Sequence, residues 1–138
     1  MSDATDVPFD DIQNACYALF IAAPAITGTV YDEVDENESW PYTILGEPSD
    51  TPMEARGVKG RIVIVPFEVF SRGAGGKQEV YTIMSEIVVK LTAAKLTMTN
   101  WSEIWKTFNA GRVVREQKEG SPLVFRGTVT MLISVAKK

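Results

Sequence analysis

The stretch KGRIVIVPFEVF, at residues 59–70, decides the fold that we expect for this chain. Residues 62–65 within it are all apolar, which is typical of a strand that is buried on both faces in the middle of a sheet. Pro66 follows directly and has no N–H to donate. The strand should therefore have a bulge or a locally unpaired edge at this position.

Two segments on either side of this strand have apolar residues at helical spacing. In the first, which begins near Pro8 and should end before Pro24, they are Phe9, Ile12, Cys16, Leu19, Phe20 and Ala23. Proline suits the first position of a helix because an N–H is not needed there. In the second, which follows a glycine-rich stretch at residues 73–76, they are Val80, Ile83, Met84, Ile87 and Leu91.

Further strands are predicted at residues 30–32 and 40–46 and at the end of the sequence. In the last strand Leu123, Phe125, Val129, Met131, Ile133 and Val135 share one face. Residues 101–108 fit a helix by spacing, whereas residues 108–116 alternate as a strand does. Residues 118–121 have the composition of a hairpin turn. We expect residues 1–7 to be a flexible lead and residues 47–58, which contain two prolines, to be a mobile loop.

These elements together predict an α+β fold. The sheet should be mixed and mainly antiparallel, with about four to five strands, and both helices should pack on one of its faces. The length of 138 residues is that of a single domain, which we expect to span residues 1–138.

Composition excludes several classes of function. The net charge is −4 and no run of Lys or Arg occurs, whereas proteins that grip nucleic acid need clustered positive charge. The chain has no histidine, so a His-based triad or a His zinc site is excluded. It has one cysteine, so no disulfide forms within it. No signal peptide or membrane span is predicted, and we expect a cytoplasmic protein.

Individual motifs give little support to catalysis. The stretch GAGGK at residues 73–77 resembles a phosphate-binding loop, but Ser71 and Gln78 stand where that motif needs other residues. A plain connection between strand and helix is the better interpretation. Cys16 lies on an apolar stripe with no partner base, which indicates a buried thiol rather than a nucleophile. We expect no catalytic residue, cofactor or metal.

Two features point to surfaces instead. Residues 32–38 are acidic, and they lack the ligand order of a calcium loop, which favours a solvated loop or a charged assembly surface. Trp101 and Trp105 are either core aromatics or interface residues.

Several segments, taken in order, resemble the tail-terminator or tail-completion family of long-tailed phages, prophages and gene transfer agents. They are VYDEV at residues 30–34, WPYTILG at 40–46, FEVFSR at 67–72, LTM at 96–98, and the stretches at 108–115, 118–120 and 125–127. The resemblance covers residues 9–135 and implies that residues 103–116 are mostly strand.

The resemblance implies a structural virion protein, assembled in the host cytoplasm, that forms a ring, commonly of six copies, at the tail–neck junction. The ring would cap the tail tube, bind the head connector or stopper protein, and let DNA pass through without specific binding. Candidate interface or lumen residues are Asp35, Glu36, Glu38, Arg72, Lys77, Trp101 and Trp105. The alternatives are another neck ring, such as a head-side stopper, and a small ligand-binding or enzymatic domain.

Overall fold

A computed structural model describes residues 7–31, 40–55, 58–72, 76–116 and 123–138. Its elements, in chain order, are α1 (Phe9–Ile21), β1 (Thr29–Tyr31), β2 (Tyr42–Leu45), β3 (Ser49–Ala55), β4 (Val58–Arg72), α2 (Gly76–Ala93), β5 (Trp101–Glu116) and β6 (Val124–Lys137). The result is an α+β fold, as predicted.

β4 is the central strand of a six-stranded, mostly antiparallel sheet. The strand order is β1-β2-β4-β6-β5, and β3 also pairs with β4. On one edge β4 pairs with β6 without interruption, from Gly60↔Ala136 to Arg72↔Val124. On its other edge β4 pairs with β3 in its first half and with β2 in its second half. Only β1 and β2 run parallel.

Pro66 lies where β4 passes from one partner to the other. β3 pairs with β4 as far as Ile64, and β2 begins to pair at Phe67. The Pro66 carbonyl accepts a hydrogen bond of 2.8 Å from the N–H of Gly46, so the nitrogen of Pro66 also faces this gap between β2 and β3. The missing N–H therefore breaks no ladder, and the predicted local loss of pairing is confirmed, without a bulge against β6.

The core lies between the sheet and the two helices. The face of the sheet that the helices cover bears the buried residues of β4 and β6, namely Val63, Val65, Phe67, Val69, Phe125, Val129, Met131, Ile133 and Val135. The helices contribute Ile12, Cys16 and Phe20 from α1 and Val80, Ile83, Ile87 and Leu91 from α2. Phe20 meets Phe67 edge to face, with ring centroids 5.3 Å apart. Both predicted helical stripes and the alternation of the last strand are confirmed.

The expectation of a loop at residues 47–58 is wrong, because Ser49–Ala55 is strand β3. This strand is the sixth of the sheet and forms a hairpin with β4, in which Pro52 faces Arg61. The sequence of β3, SDTPMEA, is too polar to indicate a strand, which is why β3 was not predicted. A strand that pairs on one side only tolerates proline, since an N–H that points away from the partner is not needed.

The ambiguity at residues 101–116 is resolved in favour of a strand, as the resemblance implied. β5 is continuous from Trp101 to Glu116, but its register with β6 shifts between Glu103 and Trp105 and again between Phe108 and Ala110. Each irregularity inserts one unpaired residue and moves the next side chain to the other face. The apolar residues therefore lose the period of two that indicates a strand.

α2 approaches the sheet closely at Gly127. A Cβ atom at this position would lie 2.5 Å from Cγ1 of Val80 and 2.6 Å from the sulfur of Met84. Val80 is fully buried and β-branched, so it has little freedom to move away. The absence of a side chain at position 127 therefore sets the distance between α2 and β6.

Gly127→Ala should destabilise the protein by about 1 to 3 kcal/mol, because the added methyl overpacks the contact with Val80. The free energy of unfolding in urea measures this. Gly111→Ala is the matched control, since a Cβ there first meets the ring end of the exposed Phe108, at 3.1 Å. Equal losses of stability in the two variants would contradict the close approach at Gly127.

Candidate functional site: the loop end and the edges of the sheet

Several of the described elements begin or end at one end of the sheet, which we call the loop end. The register pairs Tyr42 with Phe70, Arg72 with Val124, and Val124 with Glu116, so β4 and β5 end here and β2 and β6 begin here. α2 also begins at this end, with Gly76. The loop end thus gathers backbone from five elements, and connections positioned in this way on a rigid sheet are the usual carriers of recognition.

An aromatic stack lies at the loop end, on the face of the sheet that the helices leave open. The Arg72 guanidinium lies over the Trp40 ring, 4.6 Å from its centroid. Trp40 meets Tyr42 at 4.8 Å, and Tyr42 stacks on Phe70 at 5.0 Å. Arg72 is exposed, so its charge is held in a fixed position at the surface.

Sequence reasoning selected Arg72 but missed the aromatic stack that Arg72 contacts through Trp40. Phe70 and Arg72 share a strand face because they are two residues apart. Trp40 and Tyr42 come from a different strand, and only the register between β2 and β4 shows that they are neighbours.

Lys77 also lies at the loop end. It is exposed in the first turn of α2, where a positive charge opposes the helix dipole. Two residues further along the helix, Glu79 accepts a hydrogen bond from the hydroxyl of the buried Ser71. This bond links the end of β4 to the start of α2. The interpretation of this region as a strand-to-helix connection is confirmed by the bounds of β4 and α2; residues 73–75 lie outside the described part of the chain.

The two candidate tryptophans have different surroundings. Trp101 is 3 % exposed and belongs to the core, whereas Trp105 is 39 % exposed. Trp101 pairs with Lys137 on the helix-covered face, and Trp105 pairs with Ser134 on the open face. They are four residues apart and would share a face in a regular strand, but the shift after Glu103 separates them. An interface role remains a prediction, and Trp105 offers the larger surface for it.

Asp35, Glu36 and Glu38 lie outside the described residues. The connection that contains them leaves the sheet after β1 and returns at Trp40, next to the Arg72 side chain. Their role in a lumen or an interface stays a prediction.

The described residues offer little for chemistry. Among them, no three His, Cys, Asp or Glu side chains stand close enough to hold a metal ion. Cys16 is fully buried, as predicted. Burial raises the pKa of its thiol from 9.0 to about 12; the charge of Lys106 opposes this shift and that of Glu103 adds to it. The thiol is therefore neutral at physiological pH.

Native Cys16 should react with a thiol reagent at pH 8 at least about a thousand-fold more slowly than the unfolded chain, because its pKa is about three units higher. Labelling kinetics in buffer and in urea measure this. Folding raises the pKa, so the stability that the neutral thiol contributes is complete below about pH 9 and is lost as the pH rises towards 12. Rapid, complete labelling of the native protein would contradict the burial.

β5 forms one edge of the sheet and pairs only with β6. Beside β5, an apolar surface groove of about 510 Å³ runs between α2 and β5. It is lined by Tyr81, Met84, Ser85, Val88, Val89, Phe108 and Val129. Tyr81, Val89 and Phe108 are exposed large hydrophobic residues, and an apolar patch of this kind marks an interaction surface.

Comparison with known proteins identifies the family. Residues 14–136 match the family described as "Tail completion protein gp17". The chain belongs to this family. The tail-completion resemblance that the sequence motifs gave is thereby confirmed, and the protein is a structural protein of the tail. Among curated protein sequences, none matches this chain.

The fold of this tail completion protein recurs in a solved structure titled "Virion of native gene transfer agent (GTA) particle". One chain of that particle superposes with a TM-score of 0.79 at 16 % identity, and the match covers 98 % of this chain and 99 % of that chain. In the described part of the tail completion protein, no helix is both long and apolar enough to cross a membrane.

Proposed function

We propose that this tail completion protein forms a ring, with six copies as the expected number, that caps the finished tail tube and joins the tail to the head connector. Membership of the tail completion family over residues 14–136 is the observation that carries this proposal. The fold match to a chain of a gene transfer agent virion supports it, since the two chains agree over nearly their whole lengths.

A ring closes when one patch on each subunit binds a different patch on its neighbour. The chain has two candidate patches at opposite edges of the sheet, namely the free edge of β5 with its groove, and the side formed by β1 and α1. The loop end lies between these edges. It is therefore free to face along the ring axis, towards the tail tube or towards the head connector.

DNA would pass through the ring during ejection. An acidic lining would repel the phosphates and prevent the DNA from adhering. Asp35, Glu36 and Glu38 are our candidates for that lining. Arg72 and Lys77, at the loop end, are candidates for contacts with the tail tube or the connector.

Particles assembled without this chain test the proposal. We expect DNA-filled heads beside unattached tails of irregular length in electron micrographs. Tails of normal length beside emptied heads would instead make the protein a head-side stopper. Joined, intact particles would overturn the structural role and return attention to a ligand-binding or enzymatic function.

Arg72→Ala should reduce the fraction of joined particles several-fold, because it removes the charge that Trp40 holds at the loop end. The melting temperature should change little, since an exposed cation–π contact contributes only about 0.5 to 1 kcal/mol. Lys137→Ala is the matched control, because Lys137 is an exposed cation over another tryptophan ring, that of Trp101, at the opposite end of the sheet. Normal joining by the Arg72 variant would remove the loop-end arginine from the docking surface.

A further inference from the structure

The charges of this chain are separated along its sequence. Residues 1–55 contain twelve of the 18 acidic residues and none of the 14 basic ones, which gives a net charge of −12. Residues 56–138 contain the remaining six acidic residues and all 14 basic ones, which gives +8. The chain's net charge of −4 conceals this division.

Five of the twelve acidic residues of the first part, Asp10, Asp11, Glu47, Asp50 and Glu54, belong to the described part of the chain, and for these the fold turns the division along the sequence into a division in space. Residues 1–55 include α1, β1, β2 and β3, and these three strands all lie on the same side of β4. α2, β5 and β6 come from the basic part of the sequence. β6 and β5 lie on the other side of β4, and α2 packs over them at Gly127 and Phe108.

We define the acidic edge as the surface of α1, β1, β2 and the residues 46–48 that follow β2, where Asp10 and Glu47 are exposed. Its described residues, 7–31 and 40–48, include no Lys or Arg. We define the basic edge as the surface of α2, β5 and the connection between them, where the exposed charges are Lys77, Lys95, Arg112 and Arg115. None of these four has an ion-pair partner among the residues that the structure describes. The four carboxylates of the same surface are half-buried and each has a partner, namely Glu79 with Ser71, Glu86 with the N–H of Thr27, Glu103 with Lys106 and Glu116 with Arg126.

Each edge also carries exposed apolar side chains. On the basic edge Tyr81, Val89 and Phe108 border the groove between α2 and β5, and Val89 is 63 % exposed. On the acidic edge Tyr17 and Ile21 are exposed on successive turns of α1.

The flank of α1 that bears Tyr17 faces away from the basic edge. Gln13 lies one turn before Tyr17 and faces the connection at Gly46 and Pro48, at the end of β2. On the opposite flank, Asp11 accepts a hydrogen bond of 2.7 Å from the N–H of Asn100, at the start of β5. Tyr17 and the groove therefore lie on opposite sides of the same chain, and they can meet only between two copies.

We infer that the acidic edge of one copy packs against the basic edge of the next, with Tyr17 and Ile21 in the groove between α2 and β5. This contact rests on the proposed ring and supplies its interface. Apolar contact would provide most of the affinity, and the opposite charges around it would set the orientation and speed the encounter. Two copies that present like edges would repel each other, so the pairing is head to tail, as a closed ring requires.

Cross-linking between variants that each carry one added cysteine tests this contact. Tyr17→Cys protein and Val89→Cys protein are mixed at high concentration and treated with a short bismaleimide. We expect covalent dimers in the mixture, at least tenfold above either variant alone. Cys16 causes no background because it is buried. The matched control is Tyr17→Cys mixed with Ile64→Cys, an exposed residue of the open face. Yields equal to this control would overturn the contact.

The same reagent is then applied to joined particles that carry both substitutions in each copy. A ladder of covalent multimers is expected, because every copy would contribute one cysteine to each of two neighbours. Particles that carry only one of the two substitutions should give no dimers. Dimers in such particles would indicate that like edges contact each other and would overturn the head-to-tail arrangement. Joined particles that contain the double variant and give no ladder would overturn the contact but not the ring. Intact particles assembled without the chain would overturn the ring itself.

Ionic strength provides an independent readout. The yield of the cross-linked pair should fall several-fold between about 0.05 and 0.5 M salt, because the Debye length becomes shorter than the distances between exposed charges. Arg115→Glu should produce a comparable fall at low salt, with an unchanged melting temperature as its control. A yield independent of both salt and this substitution would overturn the electrostatic part of the inference.

Discussion

The pairing of β4 with β6 is the constraint on which the rest of the structure depends. It places the fully buried side chains of both strands on one face, where α1 and α2 cover them. It also fixes the position of everything else, because β2 and β3 attach to the far edge of β4 while β5 attaches to the far edge of β6. The opposite edges of the protein, and hence their opposite charges, follow from this central pair.

The sequence predicted those elements whose side chains repeat regularly. The stripes of both helices and the alternation in β6 were sufficient, because burial on one side of a regular element requires that period. β3 was missed because an edge strand with one partner needs neither apolar residues nor an N–H at every position. β5 was ambiguous because two irregularities changed its period, and a shift in register is a property of two strands rather than of one.

The candidate site was predicted less completely. Lys77 belongs to the GAGGK stretch and Arg72 to the FEVFSR segment, so both residues were selected from short sequence motifs. The Trp40–Tyr42–Phe70 stack depends on two strands that are far apart in the sequence, so no local pattern indicates it. Trp101 and Trp105 looked equivalent at four residues apart, and the irregularity between them placed one in the core and the other on the open face.

The position of β6 as the last strand of the described fold has a consequence during synthesis. β4 is made early, but its long partner follows some fifty residues later, so the central pair closes only after residues 124–137 have been translated. Until then β5 has no neighbouring strand to attach to, and the groove between α2 and β5 cannot form. The apolar surface beside the edge strand is therefore completed only at the end of synthesis of the described fold.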